Sequence, residues 1–117
     1  MKPLKIHSFR FEEFEIDGAK RLLLKEGKPI AINSKTFDLL EILVENRGEV
    51  LSKDELIEKL WEDQFVEESN LTVHISTLRK VLGENRGENR FIVTVPGKGY
   101  KFDGEAIERE VEDTIPP

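Results

Sequence analysis

The first third of the chain shows the alternation of apolar and charged residues that is typical of β-strands. In the segment FRFEEFEID, Phe9, Phe11, Phe14 and Ile16 occupy nearly every second position. The next segment, KRLLLKEGKPIAI, contains two short apolar runs separated by a Gly-Lys-Pro turn. These patterns predict a small antiparallel sheet, with turns at its Asp-Gly and Glu-Gly pairs.

The next two segments have the apolar spacing of amphipathic helices. In NSKTFDLLEILVENRG, apolar residues recur at helical spacing behind a cap at Asn33 or Ser34, and Gly48 follows the last turn. In SKDELIEKLW, Ser52 and Glu55 have the spacing of a capping box, and apolar residues again share one face. The sequence therefore predicts two successive helices with a short connection.

A third helix is predicted in SNLTVHISTLRKVLG. Leu71, Ile75, Leu78 and Leu82 form one apolar stripe, and Gly83 ends the helix. If this stripe is buried, the helix turns a small, hydroxyl-rich face outward. That outer face consists of Ser69, Val73, Ser76, Thr77 and Lys80, with Asn70, Thr72, His74 and Arg79 on its flanks.

The remainder of the chain begins with the repeat GENRGENR, residues 83–90, which predicts a polar loop. The β-prone runs RFIVTV and YKF, joined by PGKG, predict a hairpin. Three helices followed by a hairpin is the order of a winged helix-turn-helix. We expect an α+β fold over residues 1–103, with an N-terminal antiparallel sheet, a three-helix core and a C-terminal hairpin wing. Residues 104–117 are acidic, end in two prolines, and are predicted to be a flexible linker or tail.

Composition narrows the possible sites and the cellular location. The 117 residues include no cysteine, which excludes disulfides, thiolate zinc sites and cysteine nucleophiles. The sequence has no signal peptide and no apolar run long enough to cross a membrane. We therefore expect a cytoplasmic protein, or the cytoplasmic part of a longer, membrane-anchored regulator.

The charge distribution favours a polyanionic partner more than the net charge does. The net charge of -6 argues by itself against nucleic acid, but residues 69–102 contain six basic and only two acidic residues. The third helix has no carboxylate from Ser69 to Gly83, which suits a helix passing between two rows of phosphates. Its hydroxyls can bond base edges or phosphates, and Val73 can contact a thymine methyl. An ordinary solvated amphipathic helix remains the alternative.

Three segments occur in the order KTFDLLEILVENRGEVLSKDELIEKLW, LTVHISTLRKVLG and IVTVPGKGYKF. In these segments the chain resembles the OmpR/PhoB-type winged-helix DNA-binding domain of bacterial response regulators, especially its CadC- and ToxR-like relatives. The resemblance covers roughly residues 7–103. It implies sequence-specific binding of double-stranded DNA by the effector domain of a transcriptional regulator. The third helix is then expected in the major groove and the wing at the minor groove.

The resemblance also implies roles for single positions. The base-facing positions are Thr72, Val73 and Thr77. The positions that contact the DNA backbone are Lys53, Trp61, Ser69, His74 and Ser76, and we add the basic residues Arg79 and Lys80 of the same helix. The wing positions are Thr94, Lys98 and Lys101. The link between the second and third helices contains Asp63, Gln64, Glu67 and Glu68, and in relatives this loop touches RNA polymerase; a plain solvated turn is the alternative.

Three positions depart from the family pattern. Ser76, Thr77 and Pro96 stand where better-studied members often carry arginines, so bidentate readout of guanine and a minor-groove arginine are missing. We expect an isolated monomeric domain to bind weakly or with little selectivity, and to depend on apolar contact, DNA shape and tandem sites.

Two other classes of function were weighed. The chain has no H-E-x-x-H motif, nucleophile elbow or phosphate-cradling loop, and its only histidines are His7 and His74. We therefore expect no enzyme, metal, cofactor or small-molecule substrate. The stronger alternative is a winged helix that binds protein instead of DNA, which the acidic first half and the missing arginines favour.

Overall fold

The computed structural model describes residues 4–62, 64–84 and 91–113. In chain order the elements are β1 Leu4–Phe11, β2 Phe14–Asp17, β3 Leu22–Lys25, β4 Lys28–Ile30, α1 Ser34–Glu45, α2 Lys53–Leu60, α3 Glu68–Val81, β5 Ile92–Val95, β6 Gly99–Phe102 and β7 Ile107–Asp113. They form two compact units, one from the chain up to Ala31 and from Glu105 onward, the other from Ile32 to Gly104. The predicted α+β winged-helix architecture is confirmed, whereas the division at residue 103 stays a prediction.

The first unit is an antiparallel sheet with the strand order β4-β3-β2-β1-β7. Phe9, Phe11, Phe14 and Ile16 are buried, and the charged residues between them are mostly exposed, as the alternation predicted. The turn between β1 and β2 was not predicted. It places Glu12 at a φ of 51°, a conformation that the sequence does not mark with glycine or asparagine.

Strand β7 differs from the flexible tail predicted for residues 104–117. It pairs antiparallel with β1 from Leu4 opposite Asp113 to Arg10 opposite Ile107. The segment IEREVED has the alternation of a strand, but its acidity favoured a linker in the sequence interpretation. The outer edge of β1 offers it unpaired backbone N–H and C=O groups. Residues 114–117 lie outside the described residues.

Helices α1 and α2 of the second unit begin at the predicted caps. The side chain of Asn33 accepts a hydrogen bond from the N–H of Thr36 at 2.8 Å, and that of Ser52 accepts one from the N–H of Glu55 at 3.0 Å. Helix α3 begins one residue earlier than predicted, at Glu68, and its N-cap makes no side-chain hydrogen bond. Its predicted stripe of Leu71, Ile75, Leu78 and Leu82 is buried, with each side chain at most 2% exposed.

Strands β5 and β6 form the predicted hairpin, with Ile92 opposite Phe102 and Val95 opposite Gly99. Strand β6 is tied to the connection between α1 and α2. Leu51 and Tyr100 exchange backbone hydrogen bonds of 2.8 and 2.9 Å. A Cβ at Gly99 would lie 1.9 Å from the carbonyl oxygen of Leu51, so only glycine fits this approach. The predicted loop of residues 83–90 lies outside the described residues from residue 85 onward.

Replacing Gly99 with alanine should therefore destabilise the second unit. The added methyl must displace the Leu51 carbonyl and weaken the paired hydrogen bonds, which should lower the free energy of unfolding by roughly 2–4 kcal/mol. Urea unfolding measures the change. Gly104→Ala is the matched control, because its nearest contact would be an ordinary 3.4 Å. Equal urea midpoints for the two variants would contradict the close approach at Gly99.

Candidate nucleic-acid interface

The outward face of α3 is the one that the sequence predicted. Val73 is 61% exposed, and Ser69, Ser76 and Lys80 are exposed with it. Thr77 is half-buried. Burial of the leucine and isoleucine stripe on the opposite side fixes the rotation of the helix about its axis. The residues of the outward face must therefore point away from the core.

The threonine hydroxyls on this helix donate their hydrogen bonds to backbone carbonyl oxygens of the helix itself. Thr72 Oγ1 donates to the carbonyl oxygen of Glu68 at 3.2 Å, and Thr77 Oγ1 donates to that of Val73 at 3.0 Å. A hydroxyl that donates to the helix keeps its lone pairs and presents its methyl group outward. In this rotamer both threonines are therefore suited to accept a hydrogen bond or to make an apolar contact, and not to donate.

His74 lies in a cluster that joins the three helices. Its Nδ1 is 2.9 Å from Thr36 Oγ1, and its ring centroid is 5.6 Å from that of Trp61. Lys35 Nζ donates to the carbonyl oxygen of Leu60 at 2.5 Å and lies 5.6 Å from the Trp61 ring centroid. Two side chains of α1 thus hold the predicted backbone contacts Trp61 and His74. No local pattern marks Lys35 or Thr36, since the Thr36–His74 contact spans 38 residues of chain.

This cluster favours the neutral form of His74. Burial, and next the positive charge of Lys35, lower the pKa of His74 below its usual value of 6.5. A neutral imidazole can interact with phosphate only as a hydrogen-bond donor and not as a cation. The expected phosphate contact of His74 stays a prediction, restricted in this way.

A carboxylate stands at the start of α3, where the sequence interpretation had assigned it to the preceding link. Glu68 Oε2 lies 3.8 Å from Nζ of Lys53, a predicted backbone contact at the start of α2. The side chains are 63% and 44% exposed, so the ion pair is weak and a phosphate could replace it. The two residues line a groove that extends to the turn of the hairpin. Its lining consists of Ser52, Lys53, Asp54, Glu68, Gly97 and Lys98.

The hairpin carries the predicted wing residues in different environments. Thr94 and Lys98 are exposed, and Lys101 is half-buried. Arg79 Nη2 donates to Thr94 Oγ1 at 2.8 Å and to the carbonyl oxygen of Ile92 at 2.9 Å. The contact of Arg79 with the DNA backbone stays a prediction, and in the structure its Nη2 is bonded to the hairpin.

The link between α2 and α3 exposes an aromatic side chain that the sequence interpretation passed over. Phe65 is 96% exposed, and Gln64 and Glu67 beside it are exposed as well. Predicted residue Asp63 lies outside the described residues. Phe65 lies in a groove lined by both apolar and acidic side chains. It is lined by Asp54, Ile57, Glu58, Trp61, Gln64, Phe65, Val66, Glu67 and Glu68.

The described residues were compared with the patterns of a metal site and of a membrane-spanning helix. Among residues 4–62, 64–84 and 91–113, no three histidine, cysteine or acidic side chains are grouped so that they could hold a metal ion. Within the same ranges no helix is long and apolar enough to span a bilayer.

Comparison with known families identifies the class of protein that this architecture defines. Residues 27–102 match the family described as "Transcriptional regulatory protein, C terminal". The match includes all three helices and the hairpin. The chain belongs to this family of OmpR/PhoB-type domains, which confirms the resemblance drawn from the three sequence segments.

Individual relatives agree with this assignment. The transcriptional regulator HilA of Salmonella typhimurium is 38% identical over 86% of this chain and 18% of its own length. The sensory transduction protein RegX3 of Mycolicibacterium smegmatis is 37% identical over 76% of this chain and 40% of its own length. The chain thus spans less than half of these curated relatives.

Two solved structures are similar as well. The RstA DNA-binding domain of Klebsiella pneumoniae, solved in complex with the RstA box, has a TM-score of 0.74 at 32% identity. The match covers 82% of this chain and 96% of that domain. The DNA-binding domain of E. coli CadC has a TM-score of 0.75 at 30% identity and covers 90% and 97% of the two chains.

His74 should make stability depend on pH. Because its pKa is lowered in the folded state, the unfolded chain binds a proton more readily. The stability contributed by His74 is therefore complete above about pH 6.5 and is lost as the pH falls through the lower, folded-state pKa. Urea unfolding between about pH 8 and pH 5.5 should show this loss in the wild type and a smaller one in His74→Gln. Ser76→Ala, on the exposed face of the same helix, should show the same dependence of the free energy of unfolding on pH as the wild type. An equal pH dependence in all three proteins would contradict the lowered pKa of His74.

Proposed function

We propose that this chain binds double-stranded DNA in a sequence-specific manner as the effector domain of a transcriptional regulator. Helix α3 lies in the major groove and the hairpin of β5 and β6 reaches the adjacent minor groove. The observation that carries the proposal is the exposed, hydroxyl-rich face of α3, which is free of carboxylates from Ser69 to Gly83. Similarity to the RstA domain, which was solved with a DNA site, supports it.

The geometry supports distinct roles for the residues of this interface. Thr72, Val73 and Thr77 face base edges, where two hydroxyl oxygens accept hydrogen bonds and the valine meets thymine methyl groups. The DNA backbone is contacted by Lys53, Trp61, Ser69, His74, Ser76 and Lys80, and from the wing by Thr94, Lys98 and Lys101. For Lys53 the contact requires an exchange of Glu68 for a phosphate oxygen.

Affinity and selectivity should be modest for one isolated domain. With Ser76, Thr77 and Pro96 at positions where relatives often have arginines, no guanidinium reads guanine there. Apolar contact and DNA shape supply the selectivity, and two monomers on tandem sites supply the affinity that one domain lacks. We place this activity in the cytoplasm and assign the chain no enzymatic role.

The link between α2 and α3 is proposed to contact RNA polymerase. Its acidic side chains are repelled by DNA and attract a basic protein surface. Exposed Phe65, in a groove that Ile57 and Val66 also line, supplies the kind of aromatic anchor that dominates interface energetics. Gln64 and Glu67 flank this anchor, and Asp63 belongs to the same proposed contact.

The proposed DNA binding predicts a salt-dependent affinity. Fluorescence anisotropy against a pooled duplex library, from about 50 to 200 mM salt, should give a slope of log affinity against log salt of roughly -3 to -5, the value for about four to six phosphate contacts. The double variant Lys80→Glu, Lys98→Glu should bind at least tenfold more weakly, about 1.4 kcal/mol or more.

Lys59→Glu is the control for charge reversal outside the interface, with half the charge change of the double variant, since it changes an exposed lysine on α2 among Glu55, Glu58 and Glu62. If the affinity does not depend on salt and the double variant binds as tightly as the wild type, DNA is not the partner and a protein partner is favoured instead. The net charge of -6 and the exposed Phe65 favour that second function.

The proposed polymerase contact predicts that DNA binding and activation can be separated. Phe65→Ser should reduce transcript output from a template carrying the selected site by about tenfold, the loss expected for one interface anchor. Its DNA affinity should stay within about twofold of the wild type, because the residue lies off the α3 face. Ile107→Ser, at a side chain 71% exposed in β7, is the control. Unchanged transcription in Phe65→Ser would refute the contact.

A further inference from the structure

We propose that Arg79 and Glu84 are positioning residues that set the place of the hairpin relative to α3. They would thereby set the distance between the major-groove and minor-groove contacts. The inference rests on the proposed DNA binding for its functional consequence, but the positioning itself is a property of the protein alone. It gives Arg79 a role other than the phosphate contact expected from its charge.

The two strands of the hairpin are held in different ways. Strand β6 is fixed by the backbone, through the Leu51–Tyr100 pair and a 2.9 Å hydrogen bond from the N–H of Gly48 to the carbonyl oxygen of Phe102. Strand β5 faces the end of α3, and there the described bonds come from side chains. Strand β5 is also paired with β6 through the backbone, and a 2.7 Å hydrogen bond from the N–H of Asp103 to the carbonyl oxygen of Phe91 continues this pairing. Its described attachment to the end of α3, unlike that of β6 to Leu51, depends on the identity of the side chains.

Both side chains converge on Ile92, the first residue of β5. Arg79 Nη2 donates to its carbonyl oxygen at 2.9 Å, and Glu84 Oε1 accepts from its N–H at 3.3 Å. Glu84 Oε1 also accepts from the N–H of Phe91 at 2.5 Å, and Arg79 Nη2 donates to Thr94 Oγ1. Two bonds on opposite backbone groups of one residue oppose both sliding and rotation of the strand.

The two residues are also connected to each other. The N–H of Glu84 donates to the carbonyl oxygen of Arg79 at 2.9 Å, just beyond the left-handed Gly83 with its φ of 73°. The turn that ends α3 thus carries the Glu84 carboxylate back to the start of β5. Helix end, glycine turn and strand start form one hydrogen-bonded unit.

Two polar atoms of this arrangement remain unpaired among the described residues. Glu84 is only 6% exposed, and its Oε2 is buried without a hydrogen-bond partner in the described structure, as is Nε of Arg79. Burying such polar atoms unpaired costs free energy, whereas an apolar side chain at position 84 would instead leave the buried N–H groups of Phe91 and Ile92 without their acceptor. The hydrogen bonds of Arg79 and Glu84 are directional, and they therefore fix β5 in one place, which apolar packing does not do.

The consequence for DNA is a fixed separation between Lys98 on the turn and the outer face of α3. Contacts in two grooves reinforce each other only when both can form without distorting the protein or the DNA. A hairpin released on its β5 side is held through β6 alone, so Lys98 at the turn is fixed from one strand instead of two and its separation from α3 becomes less sharply defined. Loss of the Arg79 and Glu84 hydrogen bonds to β5 should therefore weaken the contacts of the wing with DNA.

The test begins without DNA. Because the chain has no cysteine, spin labels at Lys80→Cys and Lys98→Cys report one distance distribution by pulsed electron resonance. Glu84→Ala should shift or broaden this distance distribution by removing the acceptor of the two N–H groups. Arg79→Lys should do the same by removing the guanidinium donors while keeping the positive charge. Glu84→Gln is the control and should preserve the distribution, since an amide oxygen still accepts from Phe91 and Ile92.

The same variants are then measured on DNA with and without Lys98→Gln. In the wild-type background this wing change should cost about threefold or more, from the lost phosphate contact. In the Glu84→Ala background, Lys98→Gln should lower the DNA affinity by less than about twofold, because a displaced wing no longer makes the full phosphate contact through Lys98. Thermal unfolding confirms that each variant is folded at the assay temperature, and Arg79→Lys serves if Glu84→Ala is not.

The outcomes separate the two proposals. An unchanged distance distribution in both Glu84→Ala and Arg79→Lys overturns the positioning role. A changed distribution with purely additive losses on DNA overturns its consequence for binding. A changed distribution in a protein that binds no DNA leaves the positioning intact and overturns the proposed function instead.

Discussion

Burial of one face of α3 is the constraint on which the candidate interface depends. Leu71, Ile75 and Leu78 are at most 2% exposed and pack within the second unit, so the helix cannot rotate without exposing them. At 100° per residue this fixes Val73 and the hydroxyl residues on the outside. The side chains expected to read DNA need no packing of their own, because the opposite side of the helix positions them. This arrangement leaves the outer face free to vary in sequence while its direction stays constant.

The hairpin depends on longer-range interactions than the helix does. Its β6 strand approaches the chain at Leu51 so closely that position 99 tolerates no Cβ, and its β5 strand is held by side chains from the end of α3. Helix α1 plays a similar part for the other flank of the interface, since Lys35 and Thr36 hold Trp61 and His74. The exposed residues are thus supported by a second set of residues that hold them in position.

The sequence predicted the parts of this structure that local rules determine. Caps at Asn33 and Ser52, the stripe of α3 and the turn of the hairpin each depend on residues a few positions apart, and all were confirmed. The supporting contacts could not be predicted, because Thr36 and His74 are 38 residues apart and no single sequence records that they meet. Arg79 illustrates the same limit. Its charge and place on α3 favoured a phosphate contact, and only the fold shows Ile92 and Thr94 within its reach.

The acidity of the chain is compatible with a polyanionic partner because of where the carboxylates lie. Glu84 is the one acidic residue between Ser69 and the start of β5 that the structure describes, and it is buried against backbone N–H groups. Glu68, at the border of the interface, is paired with Lys53. A phosphate that approaches Lys53 must compete with this carboxylate, which makes weak, non-selective contacts less favourable than a full set of contacts. The acidic residues near the interface therefore act against indiscriminate binding.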